Sequence, residues 1–411
     1  MTAFSDHPQS RPATGWPLVL RQTTALFGDA VRRLRAAKLF WVALVLSALV
    51  AAAIGIVGID ETGWSVPFLG HVDDPINNTQ FQTAAEYYRS IFIFFGVSIW
   101  LTYGATLLGL VSTANLVPSL IDEGSVDLYL ARPVGRVRLF LTRYVTGLLF
   151  VAGQAFCFSV VAIAIFAVRA QVFLPDLLWS VFYATLLFSF LYCVSAFVGL
   201  VSGSLLAAIL TTGMLWAFIF VADWTEYGML TWRETARAGV AAAERAQLQA
   251  EQVNERFNGP DSAAGDVARD TAALQLDAAA GRLASARDSL ATATRIHRIT
   301  YVVKAPLPKL GETVGVMRRH LEDASTVERK REAELAEGEA NVRESVQRND
   351  RLSEEEKSRQ QAMMLDIVAG GSEADRLYDG RSLWWSIGTG LAFEAVLVGL
   401  CCLIFWRRDL A

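Results

Sequence analysis

Residues 177–222 read LLWSVFYATLLFSFLYCVSAFVGLVSGSLLAAILTTGMLWAFIFVA, 46 positions without a charged side chain. A helix crossing a bilayer core of roughly 30 Å needs about 20 apolar residues. The run is therefore too long for one crossing and long enough for two. It contains Gly199 and the Ser202-Gly203-Ser204 step, where a tight turn can divide it.

The same test finds four more spans. Leu39–Ile59 is uncharged over 21 residues, Ser90–Ile121 contains a second span, and Tyr144–Val168 is a third. Ser382–Trp406 is the last, interrupted only by Glu394. The spans at 177–222 are then the fourth and fifth, and six are expected in all. The first begins near residue 40, exceeds a signal-peptide core in length and is followed by Asp60-Glu61, so it reads as a retained span.

Charge is distributed unevenly over the 411 residues. Positions 223–380 hold 22 Lys/Arg and 28 Asp/Glu, whereas the other 253 positions hold 15 and 13. Short flanks set orientation through their Lys/Arg bias. With the N-terminus inside, one side carries Arg11, Arg21, Arg32, Arg33, Arg35, Lys38, Arg132, Arg136, Arg138, Arg143, Arg407 and Arg408; the short loops opposite carry Arg89 and Arg169. Twelve against two places both termini in the cytoplasm and the 223–380 block outside. The formal net charge of −4 and the dispersed arginines give no nucleic-acid footprint.

Before the first span, Val19, Leu20, Leu26, Phe27, Ala30, Val31 and Leu34 recur at helical spacing among arginines. Residues 17–36 read as an amphipathic helix in the headgroup plane, with a plain cytoplasmic extension of the first span as the other reading.

The outer block is expected to be helical. Leu276, Leu283 and Leu290 are seven apart, with Ala279, Ala286 and Ala293 between them, a heptad seam of alternating large and small side chains. Asn258-Gly259-Pro260-Asp261 marks a turn before it. Leu335 and Val342 begin a weaker seam, with Ala333 and Val346 near it. A long antiparallel hairpin or small bundle follows. Leu310, Val314, Met317 and Leu321 share one helical face, which suits either the outer membrane surface or the underside of the bundle.

The fold class is thus an all-α integral membrane protein. Residues 1–38 form the cytoplasmic N-terminus, 39–222 hold spans 1–5, 223–380 form a coiled-coil-like extracytoplasmic insertion, and 381–411 hold span 6 and a cytoplasmic tail. Cys157, Cys193, Cys401 and Cys402 lie in apolar runs and read as packing residues, and His7, His71, His297 and His320 have no metal-ligand spacing. P-loop, dinucleotide, nucleophile-elbow and zincin motifs are absent, and the spans lack His and Lys. Neither catalysis nor a cofactor is expected on this chain.

Between spans 2 and 3, residues 118–144 read PSLIDEGSVDLYLARPVGRVRLFLTRY. Pro133 pushes Arg132 out of helical geometry, so a short mixed-charge helix precedes a break and an Arg-rich start to span 3. Such a helix between two spans suits docking of a soluble partner. An ordinary amphipathic loop with positive-inside arginines is the alternative.

This segment resembles the membrane permease subunits of ABC transporters of the type-2 exporter class. The resemblance rests on Glu123, Gly124-Ser125, Asp127, Leu128-Tyr129-Leu130 and Arg132-Pro133-Val134-Gly135-Arg136. The ending Trp406-Arg407-Arg408-Asp409-Leu410 and the six-span plan with a cytoplasmic N-terminus agree with it, over roughly residues 20–222 and 301–411. The resemblance implies that 119–132 is the coupling helix, with Ile121, Asp122, Glu123, Asp127, Leu130, Arg132 and Arg136 contacting a separate ATPase subunit. It also implies a second permease copy or a paralogue. The outer insertion departs from the family, whose corresponding segment is short, so it leaves the substrate open and adds a possible extracytoplasmic partner.

Glu394 stands mid-span, where a charge costs at least about 2.5–3.5 kcal/mol. It is expected to face protein or water. Either it bonds a neighbouring polar group, with Gln154 or Asn115 as candidates, or it lines a path or subunit interface. At the level of function, an ATP-driven exporter subunit stands beside two rivals: a membrane anchor for an outer coiled coil, and an ABC assembly that sends force to an envelope partner.

Overall fold

The computed structural model describes residues 24–25, 27–29, 31–32, 35–36, 38–56, 58–60, 63–66, 70–73, 84–120, 135–169, 171–258, 265–322, 324–349 and 353–407. Among the described residues six helices are long and apolar enough to cross a membrane. The first is α1 (Lys38–Ile56). The second combines α2 (Ala84–Ile91), a π-helical stretch Phe92–Ala105 and α3 (Thr106–Thr113). The others are α4 (Arg136–Arg169), α5 (Trp179–Ser202), α6 (Leu205–Asn258) and α11 (Leu383–Arg407). The helical plan gains one addition after α1, an antiparallel meander of β1 (Gly58–Asp60), β2 (Gly63–Val66) and β3 (Gly70–Asp73), paired Ile59 to Trp64 and Trp64 to Val72.

The 46-residue run divides where its glycine allows. α5 ends on Gly203, whose φ of +65° is left-handed, and the Gly203 amide donates to the Gly199 carbonyl at 3.0 Å. Glycine takes that conformation without a Cβ penalty. α5 is the most enclosed of the six and α11 the least. Phe188, Phe190, Leu191, Tyr192 and Cys193 are buried round its circumference, as expected of a helix apolar on all faces. By contrast, Leu206, Leu210, Met214, Phe218 and Val221 form an exposed apolar stripe on α6. In the π-helical stretch, Ser98, Thr102 and Thr106 each donate a hydroxyl to the carbonyl five residues back, at 2.9–3.0 Å.

α6 does not stop at residue 222. It continues through Asp223 to Asn258, 54 residues in one helix, roughly 80 Å at about 1.5 Å per residue. The expected boundary at 222/223 therefore falls inside a helix. α6 packs along α7 (Asp266–Lys304), and the predicted heptad is the contact seam. Ala272, Ala279, Leu283 and Ala293 are buried, Leu276, Ala286 and Leu290 partly so, and apart from the half-buried Ser289 the positions between them are exposed. α9 (Ala324–Gln347) and α10 (Glu354–Asp379) pair with each other, and α10 lies on α6. Leu335 and Val342 are half-buried and Val346 is buried.

α8 (Leu310–Leu321) packs into the junction between the apolar helices and the long helices. Leu310, Val316, Met317 and Leu321 are buried, and the helix packs against α5, α11 and the π-helical stretch. It forms a plug between the spans and the long helices. The long helices touch the start of span 2, where Arg329 pairs with Glu86 at 2.9 Å and Lys330 donates to Ser90 Oγ at 2.9 Å. At the other end of the bundle the described residues of 24–36 are helical, and Arg143 holds Asp29 at 3.3 Å.

α10 meets α6 closely at one glycine. A Cβ on Gly370 would stand 2.6 Å from Thr235 Cα, whereas one on Gly371 would meet nothing within 4 Å. Gly371→Ala should raise stability by about 0.5–1 kcal/mol through helix propensity. Gly370→Ala should lower it by about 1–3 kcal/mol through overpacking against backbone. Thermal unfolding of the two variants, with their opposite signs, checks the packing.

Candidate functional site

The end of the long helices that meets the six long apolar helices is built round charge. α6 leaves its apolar stretch at Asp223 and, one turn on, presents Glu226. α7 delivers Lys304 in its last turn, α8 places Glu312 in its first, and the turn before α11 supplies Arg381. Lys304 Nζ lies 2.7 Å from Asp223 Oδ1, 3.2 Å from Glu226 Oε2 and 3.0 Å from Glu312 Oε1. Arg381 bridges Glu226 and Glu312 from the other side. Ser386 Oγ donates to Glu312 Oε2 at 2.7 Å, and the Gly311 amide donates to Asp223 Oδ2 at 3.0 Å. The Tyr378 ring faces both cations, with its centroid 5.5 Å from Lys304 Nζ and 4.8 Å from the Arg381 guanidinium carbon.

Five helices thus converge on one ionic cluster, and Lys304, Glu226 and Glu312 are buried. Burial by itself pushes the Lys304 ammonium down, but Asp223, Tyr378, Glu312 and Glu226 outweigh it and hold it above the usual lysine range. Burial likewise pushes Glu312 up, and Lys304 and Arg381 overcome it, leaving the carboxyl below its usual range. His297 contacts Glu226 at 3.2 Å; burial and then Arg233 lower its pKa. Lys309 is the exception. It is fully buried, its Nζ makes no hydrogen bond, it lies 4.2 Å from the Trp385 ring centroid, and burial lowers its pKa.

Beside the cluster opens a cavity of about 970 Å³. Tyr103 of the π-helical stretch stacks on Trp216 of α6 at 5.9 Å, and with Phe220 and Trp224 they form an aromatic wall. The opposite wall is charged, drawn from α8, α9 and α10. Asp223 and Tyr378 line the cavity and also touch the ionic cluster. Among the described residues no group of three or more His, Cys, Asp or Glu side chains is arranged to hold a metal ion.

The residues singled out from sequence are scattered. Ile121, Asp122, Glu123, Asp127, Leu130 and Arg132 lie outside the described residues; Arg136 opens α4. Glu394 accepts hydrogen bonds from Tyr144 at 2.8 Å and Ser189 at 2.7 Å. Neither expected partner reaches it. Gln154 donates to Ser47 Oγ at 3.2 Å, and Asn115 is exposed in a 3-10 turn at the end of span 2. The reason is depth: Gln154 is ten residues beyond Tyr144 on α4, roughly 15 Å further along the axis.

Sequence reasoning missed the ionic cluster. Its members are spread from 223 to 386, and no spacing joins them. Asp223 and Glu226 directly after the longest apolar run, and Lys304 and Lys309 around two prolines, were the only signals. Comparison with known protein families, curated proteins and solved structures finds no match to this chain.

The two buried lysines should respond oppositely to substitution. Lys304→Met leaves three carboxylates against Arg381 and should cost about 3–5 kcal/mol, as for a broken buried ion pair. Lys309→Met removes an ammonium that burial disfavours and should leave stability unchanged or higher. The lowered Lys309 pKa means the unfolded chain binds more protons between that value and about 10.4, so wild-type stability rises with pH across that window. Thermal unfolding against pH should show that rise diminished in Lys309→Met.

Proposed function

We propose that the chain is the transmembrane subunit of an ATP-driven exporter of the ABC type, with ATP hydrolysed on a separate subunit. The observation that carries this reading is the conjunction of six membrane-length helices with the acidic-Gly-Ser-acidic and Arg-Pro-Val-Gly-Arg pattern at 123–136, between the second and third. In this reading residues 119–132 are the coupling helix. ATP-driven movement of the ATPases pulls on it and reorients the spans of two copies, or of one copy and a paralogue. The protein lies in the plasma membrane with both termini cytoplasmic, and the long helices 223–380 form a coiled-coil-like extracytoplasmic insertion. The Arg/Lys bias of the short flanks supports that orientation.

One observation favours a second reading, an ABC assembly that sends force to an envelope partner. α6 runs from its apolar stretch to Asn258 without a break. A rigid helix of that length turns a tilt of the fifth span into a displacement at the tip of the α6–α7 pair. In the same reading the partner binds at that tip.

Two experiments test the proposal. Glu123→Lys with Asp127→Lys should weaken co-purification of a separate Walker-A ATPase subunit, while membrane insertion persists; unchanged co-purification and ATP turnover would sink the coupling role. Single cysteines at Asn258 or Ser325, in a background lacking the four native cysteines, should react with an impermeant maleimide in intact cells. Labelling only after lysis would invert the topology.

A further inference from the structure

The cavity beside the ionic cluster has no part in the coupling scheme above. We infer that it binds a cationic amphiphile, a molecule with an apolar tail and a positively charged nitrogen head. Its volume, about 970 Å³, falls at the upper end of the roughly 300–1,000 Å³ of small-molecule sites. It is also two-faced in the way such a ligand requires.

The tail side comes from the spans. Tyr103, Trp216 and Phe220 make one continuous aromatic surface, with Tyr103 stacked on Trp216 and edge-on to Phe220 at 6.5 Å. Ile219 and Val314 extend it with aliphatic area. These side chains lie where α6 passes from its uncharged run to Asp223, the depth at which aromatic residues sit between hydrocarbon and water. A ligand seated there keeps its tail in apolar surroundings and its head among the long helices.

The sign of the head follows from the charged wall. Eight carboxylates and four cations line the cavity. Lys330 is matched by Glu322, Arg331 by Asp379 and Arg376 by Glu373, all lining residues. Asp223 is matched by Lys304 from behind. Glu328, Glu332 and Glu334 have no ion-pair partner among the described residues, and Asp375 holds only the Tyr227 hydroxyl. Asp379 also takes Arg319 from outside the cavity at 3.0 Å, and Arg318 offsets one of these four, so two negative charges remain in excess. The concave wall gathers that field at the mouth of the cavity. It attracts an ammonium or guanidinium head and repels a sulfate or phosphate, and the aromatic faces add cation–π attraction.

The test uses the purified full chain in nanodiscs of zwitterionic lipid, titrated with dodecyltrimethylammonium against empty nanodiscs and followed by tryptophan fluorescence and calorimetry. Saturable binding above the blank is expected. It should weaken about tenfold, equivalent to about 1.4 kcal/mol, in Trp216→Ala and in the triple variant Glu328→Gln, Glu332→Gln, Glu334→Gln. The three glutamates are exposed on α9, so the triple variant leaves the fold intact and its loss of binding is not loss of structure. Dodecyl sulfate should show no saturable binding. Equal saturable binding of dodecyl sulfate, or ammonium binding unchanged by both variants, overturns the inference. The readout is binding to the chain alone, so it is independent of the exporter reading, which ATPase co-purification tests.

Discussion

Lys304 and the three carboxylates around it are the contact on which the rest of the arrangement depends. A long apolar helix, its long antiparallel neighbour and a short plug helix are joined by one ammonium. Buried charges cost several kcal/mol each unless paired and hydrogen-bonded, so a cluster of this kind tolerates very little displacement. Arg381 supplies the second cation from the start of the sixth span, and Ser386 adds a hydrogen bond from the first turn of α11. The cluster thus adds a specific polar tie between the long helices and the start of the last apolar helix to the packing of their alanine-rich seams.

That fixation matters because α6 belongs to both parts of the molecule. Its first half carries an apolar stripe and its second half the α7 and α10 contacts. Without the cluster, a helix of this length would be a lever without a fulcrum. With it, α6, α7, α8 and the turn before α11 meet at the same buried charges. The cavity opens at this fulcrum, between an aromatic wall that belongs to the spans and a charged wall that belongs to α8, α9 and α10. In the proposed exporter, anything filling the cavity bears on both halves at once.

Within the bundle the governing constraint is different. α5 is enclosed on all sides, and Tyr192 stacks on Tyr144 at 5.0 Å and on Phe188 at 5.1 Å. Tyr144 and Ser189 both turn their hydroxyls to Glu394. A carboxyl in a span must find donors from neighbouring helices, since hydrocarbon offers none. Three helices meet at that carboxyl, which places α11 against α4 and α5 although most of its surface faces away from the bundle.

The sequence alone located the six long apolar helices, the glycine turn at 203 and the Leu and Ala positions that α7 buries, because each rests on composition or periodicity within one segment. Apolar length is set by bilayer thickness, left-handed backbone by the missing Cβ, and a 3–4 spacing by helical geometry. The tertiary structure decided what depended on distance between segments. It placed Tyr144 and Ser189, not Gln154 or Asn115, at the depth of Glu394, and it seated Leu310, Met317 and Leu321 under the long helices. It also carried α6 across position 222, where a change in charge density suggested a boundary, since a helix needs no break where its side chains change from apolar to charged. Asp223, Glu226, Lys304, Glu312 and Arg381 read in sequence as separate polar residues. Only folding brings them together, because a buried charge is defined by its partners, and these partners lie as many as 158 positions apart.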